Sequence, residues 1–140
     1  MKVSNQVQPD REQIQAFLET EGPVSMVNLL KFRETAAYAD GRDPELSGAA
    51  AYVRYAREMK KLVEASGGRM VFAGEVLGFL LGEAEESWDQ VAIVEYPSAK
   101  ALLRIAATPE FQAIEIHRVA GLAGQLNITT RAGGIEQLGS

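Results

Sequence analysis

The chain has 140 residues, of which 46% are hydrophobic and 24% are charged, a size and composition that predict one globular domain. The net charge of −5 argues against nucleic acid or an anionic membrane as a partner, because both are bound mainly through Lys and Arg. It does not exclude a pocket that is locally basic. The absence of cysteine excludes a disulfide framework, a thiolate zinc site and a cysteine nucleophile.

The N-terminal third predicts a helix, a strand and a long loop. Residues 9–20 carry apolar side chains at helical spacing and predict an added N-terminal helix. Residues 24–32 are rich in strand-forming residues. Their alternation places one set of side chains on a single face: Met26, Asn28, Leu30 and Phe32. Residues 33–47 are turn-rich without a period, which predicts a loop over a site.

The rest of the chain predicts two further helical regions and three strands. Residues 49–65 have the strongest helical period, and Gly67-Gly68 ends that helix. Residues 69–82 and 88–96 predict a β-hairpin joined by the polar residues 83–87. Helical pieces are predicted for 99–107 and from Thr108 to about Ala120. A last strand is predicted for 125–130, and a mobile tail for 131–140.

This order of elements is the ferredoxin-like α+β arrangement, βαββαβ with an antiparallel sheet, preceded by an extra helix. The single domain would span 1–140, with its core in 24–130. Two helices can cover only one face of such a sheet, yet apolar residues are predicted on both faces: Met26, Leu30, Met70, Phe72, Val91 and Ile93. Pairing of two sheets in a homodimer would bury the second face.

Several short segments together resemble the family named domain of unknown function 1330, from Pro9 to about Ile128. They are Gly22-Pro23, Met26-Val27-Asn28-Leu29, Ala37-Tyr38-Ala39-Asp40-Gly41-Arg42, Ala51-Tyr52-Val53-Arg54-Tyr55, Arg57-Glu58, Gly67-Gly68-Arg69, Trp88-Asp89, Glu95-Tyr96-Pro97-Ser98, Pro109-Glu110-Phe111 and His117-Arg118. The resemblance implies a dimeric α/β barrel and implies no particular activity. Relatives in that superfamily include cofactor-free monooxygenases, haem proteins, isomerases and stress-responsive proteins.

The chain departs from the family pattern before its last strand. There an Asp-Ser-Arg-Leu type of segment would be expected, and Gly124-Gln125-Leu126-Asn127 stands instead. A role of that acid or base in relatives therefore does not carry over.

His117 is the candidate catalytic residue, because its side chain is the only one here that ordinarily titrates near neutrality. Arg118 beside it could hold a carboxylate or an enolate through two hydrogen bonds. The alternatives are a partly buried structural His with Arg118 in a salt bridge, and a haem-ligand role for His117.

Four further residues are candidate ligand contacts. Asn28 interrupts an apolar strand, so its amide either binds a ligand or ties down a loop. Tyr52 lies on the inner stripe of its helix, where aromatic residues are usually core. Tyr38 and Arg42 lie in the 33–47 loop and could close over a pocket, although a solvated turn explains Asp40-Gly41 equally simply.

No cofactor and no metal site are predicted, since the acidic residues of 83–87 have no accompanying His or Asp and no phosphate-binding glycine loop is present. Without an apolar stretch of membrane-spanning length or a signal segment, we expect a cytoplasmic protein with no membrane partner. The first functional hypothesis is a homodimer that binds a small anionic or carbonyl-bearing metabolite, with acid/base chemistry by His117. The alternative is a non-catalytic stress-response or interaction protein, which would lack a deep cavity lined by Asn28 and Arg118.

Overall fold

A computed structural model describes residues 8–84 and 87–135, which contain four helices and four strands. In chain order these are α1 (Arg11–Leu18), β1 (Val24–Phe32), α2 (Gly48–Ala65), β2 (Arg69–Glu75), β3 (Gln90–Tyr96), α3 (Ala99–Ala106), α4 (Pro109–Gly121) and β4 (Leu122–Thr130). No helix of these two ranges is long and apolar enough to cross a membrane.

Each helix begins at a polar residue whose side chain accepts a hydrogen bond from the first turn. Asp10 and Gln13 cap α1 reciprocally, and Ser47, Ser98 and Thr108 accept from the backbone of the third residue beyond them. Such caps satisfy N–H groups that the helix itself leaves unpaired. Pro109 then occupies the first position of α4, where no N–H is needed.

The four strands form one antiparallel sheet in the order β2-β3-β1-β4, which confirms the ferredoxin-like α+β prediction. The helices cover one face, and the main core lies between them and the sheet. Its buried members are Val24, Met26, Tyr55, Met59, Val63, Val94, Tyr96, Ile105 and Phe111. The predicted alternation in β1 is also observed, with Val24, Met26, Asn28 and Leu30 buried on the helix side.

The opposite face of the sheet, called the open face here, is apolar across all four strands. Val27 pairs with Ile93 on one side and Ile128 on the other, and Ile93 pairs in turn with Phe72. Residues directly paired across strands point to the same face. Phe72 is 54% exposed and Ile128 45% exposed. The predicted excess of apolar side chains on a second face is therefore present in the structure.

The ends of two predicted strands differ from the structure. β2 ends at Glu75 rather than Gly82, because its hairpin with β3 closes where the Val76 N–H donates to the Asp89 carbonyl at 3.0 Å. β4 begins at Leu122 rather than Gln125, since α4 passes directly into the strand without the expected glycine loop. Of the predicted polar connection and tail, residues 85–86 and 136–140 lie outside the described residues.

Two glycines bring α2 and α4 into backbone contact. A Cβ atom on Gly48 would lie 2.1 Å from the Arg33 carbonyl oxygen and 2.7 Å from that of Gly121, and one on Gly121 would lie 2.9 Å from the Tyr52 nitrogen. Only glycine fits such an approach. The contact fixes the end of α4 against the first turns of α2, and so places Arg118 and Tyr52 at the same end of the cavity described below.

Candidate functional site

A cavity of about 1080 Å³ lies between the helices and the sheet. Its volume slightly exceeds the range that is typical of small-molecule sites, about 300 to 1000 Å³. Most of its lining is apolar, with core members such as Met26, Met59, Val63, Val94 and Phe111 among the lining residues. This part of the cavity can hold an apolar body and offers it no hydrogen bond.

One side of the cavity is polar, and we call its four residues the polar wall: Asn28, Glu115, Arg118 and Gln125. Arg118 Nη1 donates to Gln125 Oε1 at 3.0 Å, and Gln125 Nε2 donates to Asn28 Oδ1 at 3.0 Å. Asn28 Nδ2 donates in turn to the Ala92 carbonyl at 3.2 Å. This chain of hydrogen bonds links α4 to β4, β1 and β3, so each side chain is held in one orientation.

The charge of Arg118 is balanced inside the wall. Its side chain is 10% exposed, and its Nη2 atom lies 3.0 Å from Glu115 Oε1, three residues earlier on α4. Glu115 also accepts a hydrogen bond from Gln8. A buried guanidinium requires such a partner, because an uncompensated charge in this environment costs several kcal/mol, about 3 to 5. The pair is neutral as a unit.

Three tyrosines line the same cavity: Tyr52, Tyr55 and Tyr96. Burial raises the pKa of all three phenols, that of Tyr55 to about 12, while the positive charge of Arg118 opposes the rise of the pKa at Tyr52 and Tyr55. At neutral pH they are therefore protonated hydrogen-bond donors.

A second polar cluster surrounds His117 on the loop side of α4. The Tyr38 hydroxyl lies 2.6 Å from His117 Nδ1, and Arg54 Nη1 donates to the same hydroxyl at 3.3 Å and to Asp43 Oδ2 at 2.8 Å. Because Arg54 donates to the phenol oxygen, the phenol proton is directed at Nδ1. This favours the neutral histidine with its proton on Nε2.

The His117 cluster contains two guanidinium groups, each paired with a carboxylate: Arg42 with Asp40 and Arg54 with Asp43. The guanidinium carbons of Arg42 and Arg54 lie 5.5 and 5.9 Å from the centre of the Tyr38 ring. The pKa of His117 is lowered, first by its partial burial and then by Arg54 and Arg42, and Asp43 offsets part of this. His117 is thus kept neutral more strongly than an ordinary histidine.

The structure separates the predicted site residues into two groups. Asn28, Tyr52 and Arg118 come together on the cavity, whereas the remaining three lie in the second cluster outside the cavity lining: His117, Tyr38 and Arg42. The separation follows from helix geometry, since consecutive residues point about 100° apart around the axis.

The 33–47 loop was predicted to lie over the site, which would place it over the cavity that Arg118 lines. In the structure it does not lie there. Thr35 pairs with Ser47, the Ala37 N–H donates to the Ala120 carbonyl at 2.9 Å, and Tyr38 is buried against Ala51 and Ala120. The loop packs instead on the outer side of α2 and α4, because its few apolar residues fill the groove between those helices.

Three residues of the site were not predicted from the sequence: Gln125, Glu115 and Tyr55. Gln125 lies in the segment that departs from the family pattern, and β4 pairs it with Leu30, next to Asn28. The period-two alternation of that strand would have placed Gln125 on the helix side. Glu115, three residues before Arg118, had the spacing of a helical ion pair. Within the described residues no group of His, Asp and Glu side chains could hold a metal ion.

The fold and sequence are similar to those of one protein of known structure over nearly the whole chain. This is the RPA0582 protein of unknown function from Rhodopseudomonas palustris, with 33% identity, a TM-score of 0.81, and coverage of 94% of this chain and 99% of that chain. Its methylated form gives 34% identity and a TM-score of 0.83, covering 95% and 98% of the two chains.

More distant structures share the fold alone. SnoaB, a cofactor-independent oxygenase from Streptomyces nogalater, is 17% identical with a TM-score of 0.51, over 81% of this chain and 96% of its own. A comparison with curated proteins finds no match. Residues 36–131 match the model of the family described as Domain of unknown function (DUF1330), as the sequence segments predicted. This match and the identity to RPA0582 show that the chain belongs to the DUF1330 family.

Proposed function

We propose that the protein binds a small molecule in the cavity between helices and sheet, with the polar wall as its recognition element. The observation that carries the proposal is the buried Arg118, joined through Gln125 to Asn28 at the edge of a mostly apolar cavity of about 1080 Å³. A protein has little reason to keep such a network beside a large cavity for packing alone, because apolar side chains of similar volume would be at least as stable.

The ligand class that fits is an apolar metabolite with one oxygen-bearing end. The apolar lining would hold the body, and the wall together with the tyrosines would face a carbonyl or an anionic oxygen. The alternative, a non-catalytic interaction protein, is disfavoured by a cavity lined by Asn28 and Arg118, the feature that such a protein would lack.

Acid/base chemistry by His117 stays a separate prediction. Its Nδ1 atom contacts Tyr38, and the favoured neutral form donates rather than accepts at Nε2. A substrate bound in the cavity would have to reach the other side of α4 to meet this ring. Catalysis at His117 therefore needs either a second binding position by the loop or proton transfer through Tyr38.

The test is a thermal-shift screen of small carbonyl and carboxylate metabolites, followed by titration of each hit. Arg118→Met combined with Glu115→Gln removes the charged pair without leaving a lone buried charge. We expect this double variant to lose affinity for a hit about tenfold or more, as for loss of one charge-assisted hydrogen bond. His117→Ala should bind as the wild type does. Unchanged binding in the double variant would remove the polar wall from the site.

We further propose that the working form is a homodimer in which the open face of one chain packs on that of another. Val27, Ile93, Ile128 and Phe72 form a continuous apolar strip across four hydrogen-bonded strands. None of the four helices covers this strip, because all of them pack on the other face. A second copy offers the same strip related by a two-fold axis, which is how an isologous interface forms.

A further inference from the structure

The hydroxyl groups of the cavity tyrosines have no hydrogen-bond partner among residues 8–84 and 87–135. Tyr55 is 8% exposed and Tyr96 is 4% exposed. The hydroxyl oxygens of both residues keep some accessible surface. The rings of Tyr52 and Tyr55 lie 5.4 Å apart between centroids, and both residues line the cavity. Buried tyrosine hydroxyls ordinarily find a partner. Since the described residues provide none, a ligand in the cavity could supply it.

We propose that the ligand of this cavity is an apolar molecule with a neutral carbonyl, a ketone, aldehyde or ester, whose oxygen accepts hydrogen bonds from the hydroxyls of Tyr55 and Tyr52. The inference rests on the proposed function and narrows it. It assigns ligand contacts to Tyr55, which was not among the predicted site residues, and assigns Tyr52 the role of a donor.

The match of hydrogen-bond donors and acceptors favours a carbonyl. Three acceptor oxygens of the polar wall are already engaged, that of Asn28 by Gln125, that of Gln125 by Arg118 and Oε1 of Glu115 by Arg118. The phenol hydroxyls of Tyr52 and Tyr55 are O–H donors for which the described residues provide no acceptor. A ligand oxygen that only accepts, such as a carbonyl, complements them best.

Charge also favours a neutral ligand. Arg118 exerts a positive potential on Tyr52 and Tyr55, which favours the negative end of a ligand dipole beside these phenols. The same Arg118 is balanced by Glu115 at 3.0 Å, so this ion pair carries no net charge to offset a carboxylate. A carboxylate would add a net charge to an apolar cavity and lose its hydration, whereas a carbonyl adds none.

The experiment compares three ligands with one shared body: 2-acetylnaphthalene, 2-ethylnaphthalene and 2-naphthoate. Each is held below its solubility limit while the full chain is titrated into it and naphthalene fluorescence is followed. We expect the ketone to bind about tenfold more tightly than the hydrocarbon, as for one or two added hydrogen bonds, and more tightly than the carboxylate. Equal binding of ketone and hydrocarbon, or tighter binding of the carboxylate, would overturn the inference and leave the proposed cavity function standing. Binding of none of the three would overturn both.

Variants identify the donors. Tyr55→Phe and Tyr52→Phe should each reduce the preference for ketone over hydrocarbon by about threefold or more, while affinity for 2-ethylnaphthalene stays constant. Ile116→Ala, on the outer side of α4, is the matched control and should keep the wild-type preference. Because neither phenol has a hydrogen-bond partner in the described part of the chain, both Phe variants should melt no lower than the wild type. A preference unchanged in both Phe variants would contradict the assignment.

Discussion

Arg118 and His117 are neighbours in the chain, yet they belong to two different polar clusters on opposite sides of α4. Arg118 points into the cavity and reaches Gln125 at 3.0 Å, while His117 Nδ1 lies 2.6 Å from the Tyr38 hydroxyl under the 33–47 loop. Each cluster has its own charge balance. Substitutions in one cluster should therefore leave the other cluster unchanged.

Breaking the ion pair of the polar wall should destabilise the fold. Arg118→Met leaves Glu115, 21% exposed at its side chain, without its nearest cation, and we expect a loss of about 3 kcal/mol in the free energy of unfolding. Adding Glu115→Gln should restore most of that loss. Urea unfolding of the single and double variants measures both. If Arg118→Met were as stable as the wild type, the ion pair between Arg118 and Glu115 would not contribute to the stability of the polar wall.

Protonation of His117 should weaken the fold as the pH falls. Its pKa lies below the ordinary 6.5, so between that lowered pKa and 6.5 the unfolded chain binds more protons than the folded chain. Stability should therefore rise with pH through this window and fall as the pH drops through it.

The measurement is urea unfolding between about pH 5 and 8, where histidine is the side chain that ordinarily titrates. In His117→Gln the part of the pH dependence due to this window should disappear, because the replaced side chain does not titrate. Arg118→Met, in the other cluster, should keep it. The same slope in wild type and His117→Gln would place the titrating group elsewhere.

The glycine contact between α2 and α4 should not tolerate a methyl group. In Gly48→Ala the new Cβ would meet the Arg33 carbonyl at 2.1 Å, and the backbones would have to separate. We expect a loss of at least about 2 kcal/mol, typical of overpacking. Helix propensity alone would predict a gain of up to about 1 kcal/mol for Gly to Ala, so the two accounts differ in sign. Thermal unfolding decides between them, and a more stable Gly48→Ala variant would exclude the tight contact.

A charge on the open face should separate the proposed dimer. Ile93→Arg introduces a guanidinium at the centre of the apolar strip, whereas Val53→Arg places it on the helix surface, at a residue 48% exposed. Light scattering at micromolar concentration should give a dimer for the wild type and Val53→Arg, and a monomer for Ile93→Arg. A monomeric wild type would refute the sheet-pairing proposal.

The sequence predicted the fold through features that act locally. The alternation in β1 and the helical stripe of α2 depend on neighbouring residues, and both are observed with bounds within a residue of those expected. The end of β2 was missed, because the apolar run 76–82 reads as strand although Leu77, Leu80 and Leu81 are 91%, 104% and 88% exposed. Pairing with β3, a long-range event, determines where β2 stops.

The site could be predicted only in part for the same reason. Asn28 was identified because a buried amide in a strand needs a partner, and Arg118 by its guanidinium. Their partner Gln125 comes from β4 through strand pairing, and whether His117 or Arg118 faces the cavity depends on how α4 is rotated against the sheet. Neither relation is encoded in local spacing.

The central claim, that the cavity and its polar wall are the binding site, is tested most directly by nuclear magnetic resonance of the side-chain amides of Asn28 and Gln125. Titration with 2-acetylnaphthalene should shift both amide signals, with the largest backbone changes in β1, β4 and the inner face of α2. The signals of the His117 ring should not move. Shifts confined to His117 and the 33–47 loop, with the two amides unchanged, would contradict the account.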